Sequence, residues 1–238
     1  MKQLLIPSLG IAMAATSAQA AEVQISSQGP VVELTVMEQV EADPDLVTVG
    51  AGVTTNATTA VEALRLNSVE MRKVIDRLKA LGIAERDIQT TGINLNARYD
   101  YDQRAQQQVF RGYQASNRVS VKLRKVDDTG KVLDALVVAG ATDLDGPRFS
   151  LEDDTQAKAE ARSRAMARAR EQSLEYARLA GFSELRLLEV NETITGYNGP
   201  MPLMRGVATM DAAEQSAPVQ PGLVSTSVNV TVKYEMVR

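Results

Sequence analysis

The sequence has no cysteine and no histidine. Without cysteine there is no disulfide, no thiolate nucleophile and no thiolate metal ligand. Without histidine the usual general base near neutral pH and the commonest metal ligand are both missing. Together the two absences remove histidine-based triads, zinc hydrolysis and thiol chemistry. Aromatic residues make up only 4%, with no Trp and three Phe, so the core must be aliphatic and alanine-rich. A glycosidase needs two carboxylates flanking a sugar. Carboxylates are present, but the tryptophan surface on which sugars usually stack is not. No stretch reaches the roughly 20 apolar residues that a membrane-spanning helix requires.

What is present begins with MKQLLIPSLGIAMAATSAQA. Lys2, an apolar run from Leu4 to Ala15 and the small-x-small triplet Ala18-Gln19-Ala20 are the grammar of a secretory leader. Cleavage is expected between Ala20 and Ala21, with export to the periplasm. No cysteine follows the run, so no lipid anchor is expected. Residues 21–30 then form an N-terminal extension, and 31–238 carry the folded part. The precursor has 26 basic and 30 acidic residues. Loss of Lys2 with the leader takes the net charge from −4 to −5. That balance argues against nucleic acid and against an anionic membrane surface as the main partner, and a peripheral association with the envelope is left as an expectation.

Residues 31–40 and 45–56 read as strands, separated by Asp43-Pro44. Thr58 or Thr59 caps a long helix with Leu64, Met71, Ile75 and Leu78 on one face, and Gly82 closes it. Strands follow over 88–99 and 113–125, the second alternating Val119, Val121 and Leu123 with polar residues. The connection between them, DYDQRAQQQVFRG, is polar and reads as a mobile loop. A short helix over 128–139 turns Val132, Leu133, Leu136 and Val137 inward. A strand over 144–151 bends at Gly146-Pro147. A second long helix, 154–180, interleaves Ala157, Ala159, Ala161, Ala165, Ala167 and Ala169 with arginines. Its small side chains allow close approach of a helix or a sheet, and Asp154 or Thr155 caps it. Strands over 184–194 and 225–237 complete the chain, with a long loop over 196–222. The fold class is α+β, with mainly antiparallel sheets, two long helices and one short helix. Two strand–helix–strand–strand units, 45–125 and 144–237, suggest an internal repeat.

Four strings are diagnostic together: PDLVTVGAGVTTNATTAVEAL, VIDRLKALGIAERDIQTTGINLNARYDYD, GYQASNRVSVKLRK and PVQPGLVSTSVNVTVKYE. In this order the chain resembles the SIMPL domain family over roughly residues 31–237. It departs from that pattern at MEQVEADPD, where many members carry a Gly-rich turn. The resemblance implies an exported α+β envelope protein associated with oxidative or envelope stress. In one member it implies a large ring-like or channel-like homo-oligomer. The family brings no catalytic residues.

The candidate chemistry is sparse. Asp143-Leu144-Asp145-Gly146 has the start of a calcium loop, but the glutamate due at its twelfth position is replaced by Asp154, and a polar turn is expected. Asp127-Asp128 reads as a helix cap, and Glu152-Asp153-Asp154 as carboxylates complementing a helix dipole. Acidic neighbours make the arginine-rich helix a solvated or interface face, not a nucleic-acid stripe. Sequons at Asn56, Asn191 and Asn229 are coincidental in a chain of bacterial character. Met201, Met204 and Met210 form an oxidation-sensitive group in the long loop. No cofactor, metal or ligand is indicated. The expected function is a non-enzymatic envelope protein that self-assembles into a homo-oligomer. The alternative is a small-ligand binder or a carboxylate-based enzyme, marked by a concave pocket holding acids with raised pKa values.

Overall fold

The computed structural model describes residues 27–104, 106–193 and 219–238. The elements run β1 (Val31–Ala42), β2 (Leu46–Ala57), α1 (Ala60–Ala80), β3 (Ile88–Asp102), β4 (Gln107–Leu123), α2 (Thr129–Val138), β5 (Asp143–Ser150), α3 (Thr155–Leu179), β6 (Glu184–Thr193) and β7 (Val224–Val237). Two antiparallel sheets result, one ordered β3-β4-β2-β5 and the other β1-β7-β6.

The four-stranded sheet is built on its two central strands. Val47, Val49, Ala51 and Val53 of β2 lie on the same face as Val119, Val121 and Leu123 of β4. Met71, Val74 and Leu78 of α1 and Val132 and Leu136 of α2 close over that face. The buried row of α1 is Ala63, Asn67, Met71, Val74 and Leu78. Leu64 and Ile75, expected at its centre, lie half-buried at its margins. The row passes through Ala63 and Asn67 because the helix N-terminus lies close over β2 and β4. The Asn67 amide there donates to the Val53 and Ala115 carbonyls at 2.9 and 3.1 Å. In α2, Thr129, Gly130 and Ala135 join Val132 and Leu136 in the buried set. Val137, expected to point inward, is exposed.

In the three-stranded sheet, Val228, Val230, Val232 and Tyr234 of β7 meet Val32 and Val36 of β1 and Ala161, Ala165 and Ala169 of α3. The alanine row lets the helix lie close on a sheet. Arg168 pairs with Glu38 of β1 at 2.7 Å, and Arg162 reaches Glu192 of β6 at 2.7 Å. Two of the arginines therefore hold α3 to both edges of its own sheet.

All three helices stop alike. The N–H of Ile83, Ala141 and Phe182 bonds back to Leu78, Leu136 and Ala177, while Gly82, Gly140 and Gly181 take positive φ. This is the Schellman arrangement, satisfying carbonyls that the helix end leaves bare. Thr59 caps α1 by accepting from the Glu62 N–H. At α3 the cap position is Asp154, but the bond comes from Asp153, which accepts from the Thr155 N–H at 2.9 Å.

The pairing of the units differs from the chain order. β5 does not join the second sheet but pairs with β2 in the first. β1 pairs with β7 instead. The repeat in space is β2-α1-β3-β4 beside β1, α3, β6 and β7, each with its first strand against its last. The expected unit over 144–237 is thus completed by a strand from the start of the chain. MEQVEA, where the family pattern has a turn, belongs to β1.

Most of the stretch 100–112 is strand, not loop. β3 and β4 continue as a paired ribbon down to Asp102 and Gln107. Its polar composition reflects exposure on both faces. Beneath that polarity INLNARYDYD alternates without a break, the signature of a strand.

Candidate functional site

Three places on the described surface have chemical character. The first is a cleft of about 290 Å³ on the outer face of the four-stranded sheet, away from α1. Gly52, Thr54, Gly92, Asn94, Ser116 and Arg118 line it with Asp143. The glycines keep it open: a Cβ at Gly52 would come within 3.3 Å of the Asp143 Cβ. Arg118 and Asp143 form an ion pair within it, so its charges are closed on each other.

The second is a groove of about 320 Å³ between the end of α1, β4 and the start of α2. At its rim Arg124 donates to Asp87 at 2.6 Å and to Glu152 at 2.6 and 2.8 Å. Those hydrogen bonds, set against partial burial, hold both carboxyls below their ordinary values and raise the guanidinium. The knot ties the turn before β3 to the turn before α3.

Across the described residues every carboxylate with a displaced pKa is displaced downward. Arg65 lowers Glu62, Lys233 and Asn191 lower Glu189, and Arg162 lowers Glu192. The Thr155 hydroxyl and N–H lower Asp153. Glu235 is nearly buried, and burial alone would raise it. The Gln28 and Gly29 N–H groups at 2.7 and 2.6 Å, with Arg186, outweigh that effect. Groups held in this way are charged partners, not acids poised to deliver a proton.

The third place is the β3 edge and the ribbon beyond it. β2 ends at Ala57, opposite Tyr113, so from Arg98 to Gly112 the β3–β4 pair runs on without a third strand. Gly112 marks the departure: its φ is +115°, and a Cβ there would lie 2.3 Å from the Ala57 carbonyl oxygen. No side chain fits so close an approach of backbones. One face of β3 presents Ile93 (60% exposed), Leu95 (38%), Tyr99 (57%) and Tyr101 (62%), with Phe110 (47%) across from it on β4. The Tyr99, Phe110 and Tyr113 rings meet edge-on in sequence, with centroids 5.6 and 5.3 Å apart. A two-stranded ribbon is marginal by itself, and one carrying this much exposed aromatic surface suits a contact.

The residues singled out in the sequence scatter. Asp143 and Asp145 lie in β5 and pair with Arg118 and Arg148. Among the described residues no group of three acids converges to hold a metal ion. Asp128 pairs with Lys131, and Glu152 with Arg124. The cleavage position at Ala20 and Ala21 and the methionines Met201, Met204 and Met210 lie outside the described residues. No described helix is long and apolar enough to cross a membrane. The β3 stripe was missed because its charged alternate residues mask it. Reading 93–102 at a period of two finds it.

Comparison with known proteins agrees with the architecture. The 26 kDa periplasmic immunogenic protein of Brucella melitensis is 34% identical over 225 residues, covering 91% of this chain and 89% of that one. The protein of the same description in Brucella abortus is 33% identical over the same coverage. The uncharacterized protein YggE of Escherichia coli K12 is 28% identical over 208 residues, covering 87% and 82%. These likenesses place the chain in the periplasm as an exported envelope protein. The family model described as SIMPL, protein of unknown function (DUF541), matches residues 32–234, and the chain belongs to the SIMPL family.

Proposed function

We propose that this protein is a non-enzymatic scaffold of the periplasm that assembles from copies of itself into a ring or channel-like body and supports the envelope under oxidative stress. The observation that carries the reading is the β3–β4 ribbon, which projects past its sheet with Tyr99, Tyr101 and Phe110 exposed. Apolar surface of this kind is stabilised when another surface removes it from water, at about 25 cal/mol per Å². A shallow groove lined by Val31, Leu34, Tyr176, Leu179 and Met236 offers a second apolar surface on the other sheet. Two distinct contact surfaces are what a closed ring of identical subunits needs. The alternative, a small-ligand binder or carboxylate enzyme, rests on the outer cleft alone, whose charged pair is closed on itself.

Light scattering after size exclusion, on the chain from Ala21 onward, tests the assembly. A discrete mass several times that of one subunit is expected, and a clean monomer at micromolar concentration overturns the reading. The stress role is separate. Cells lacking the protein are expected to survive hydrogen peroxide less well than their parent, and equal survival removes that part.

A further inference from the structure

Four strands lie at sheet edges, and three of them are guarded. β5 carries Pro147 and is short. β1 carries Glu33, Glu38 and Glu41. β6 carries Glu184, Arg186, Glu189 and Glu192 and has a register shift between Leu187 and Glu189. Proline, charge and bulges are the usual protections of an open edge. β3 is different. After the register shift at Thr90/Gly92 it runs to Asp102, some 35 Å of strand, with no proline and with every charge on one face, and the second shift, at Arg98/Tyr99, places its extra residue, Arg111, on β4 and not on the open edge.

We infer that β3 is an assembly edge that pairs antiparallel with β3 of a second copy, about a two-fold axis at Ala97. The inference rests on the self-assembly reading and names its contact. Its support is self-complementarity. Antiparallel partners lie on the same face, and a two-fold at Ala97 sets each residue opposite the one equally far on its other side. Ile93 then meets Tyr101 and Leu95 meets Tyr99, so the four exposed apolar side chains of the stripe cover one another. On the other face Asn94 meets Asp100, Asn96 meets Arg98 and Gly92 meets Asp102. No like charges are opposed. A shift of the axis to Arg98 would set arginine against arginine. An axis between residues would set the apolar stripe against the charged one, because a one-residue slip exchanges the faces. The two four-stranded sheets become one eight-stranded sheet, and each ribbon gains the third strand it lacks.

The absence of native cysteine makes a clean test. Leu95→Cys, Asn96→Cys, Ala97→Cys and Arg98→Cys are made singly in the chain from Ala21 onward. Each is oxidised mildly at low concentration, and the mass of each is measured by light scattering. A residue on the axis faces its own copy at a Cα spacing of about 4.5–5.5 Å, within reach of a disulfide. Ala97→Cys is expected to give covalent dimer at least severalfold faster than the other three. If the protein assembles but Ala97→Cys is no faster than its neighbours, the inference is overturned while the assembly reading stands. If every variant is monomeric and none cross-links, both fail. A cross-linked dimer with no larger species upholds this contact and removes the ring.

Discussion

Single residues in this protein are set by partners far along the chain. Arg124 is the clearest example, because it holds Asp87 and Glu152 together. Both carboxyls sit below their ordinary values of 3.8 and 4.5. A lowered folded-state pKa contributes stability that is complete above the ordinary value and is lost as pH falls through it toward the folded value. The knot therefore acts at neutral pH and fades below about pH 4.5. In Arg124→Leu, stability measured by urea unfolding is expected to fall at pH 7 and to depend less steeply on pH between about 5 and 3. An unchanged slope in that window would show that the knot is not the acid-sensitive element. Glu235 shows the same dependence on distance, since its partners at Gln28 and Gly29 are two hundred residues away in sequence. Neither role was visible from local pattern, and neither was that of Asn67, a polar residue in the buried row of a helix.

At the scale of elements, the rules of period and capping worked well. The Gly82 stop falls where the sequence places it, and Thr59 is the one of the two threonines that caps α1, because both features are decided within a few residues. The alanine helix was legible as a small-residue surface, but not which alanines it would bury. The structure selects Ala157, Ala161, Ala165, Ala169 and Ala177 and leaves Ala159 and Ala167 exposed. Ala165 lies against the valines of β1 and β7. Ala165→Leu is expected to overpack that contact and cost about 1–3 kcal/mol, whereas Ala167→Leu should fall within about 0.5 kcal/mol of the parent. Thermal unfolding of the two variants side by side distinguishes them, and equal midpoints would mean that the helix does not lie close on its sheet. The ribbon is the element that composition misread, because exposed strands carry the polarity of loops while keeping the alternation of strands.

At the scale of the whole molecule, the open β3 edge and the apolar groove on the other sheet suit a subunit better than a solitary chain. A double variant, Leu95→Lys with Tyr99→Lys, breaks the middle of the apolar stripe without touching the buried core, since both side chains are exposed. Its assembly is expected to fall in mass by half or more with the circular dichroism unchanged. Retention of the full mass would place the subunit contacts elsewhere.

The sequence by itself determined the α+β class, the three helices with the Gly82 stop of the first, most of the strands and the family. Those follow from periodicity, turn chemistry and recognisable strings, all of which are local. Only the tertiary structure decided that β1, and not β5, lies beside α3, that β5 forms an edge of the first sheet, and that Arg118 of β4 neutralises Asp143 of β5. It also decided that a polar stretch becomes a projecting ribbon. These outcomes depend on which strands meet and in what register. The free energy that selects them comes from burial and pairing between strands that the chain brings together from a distance, β1 with β7 above all, which no local pattern encodes.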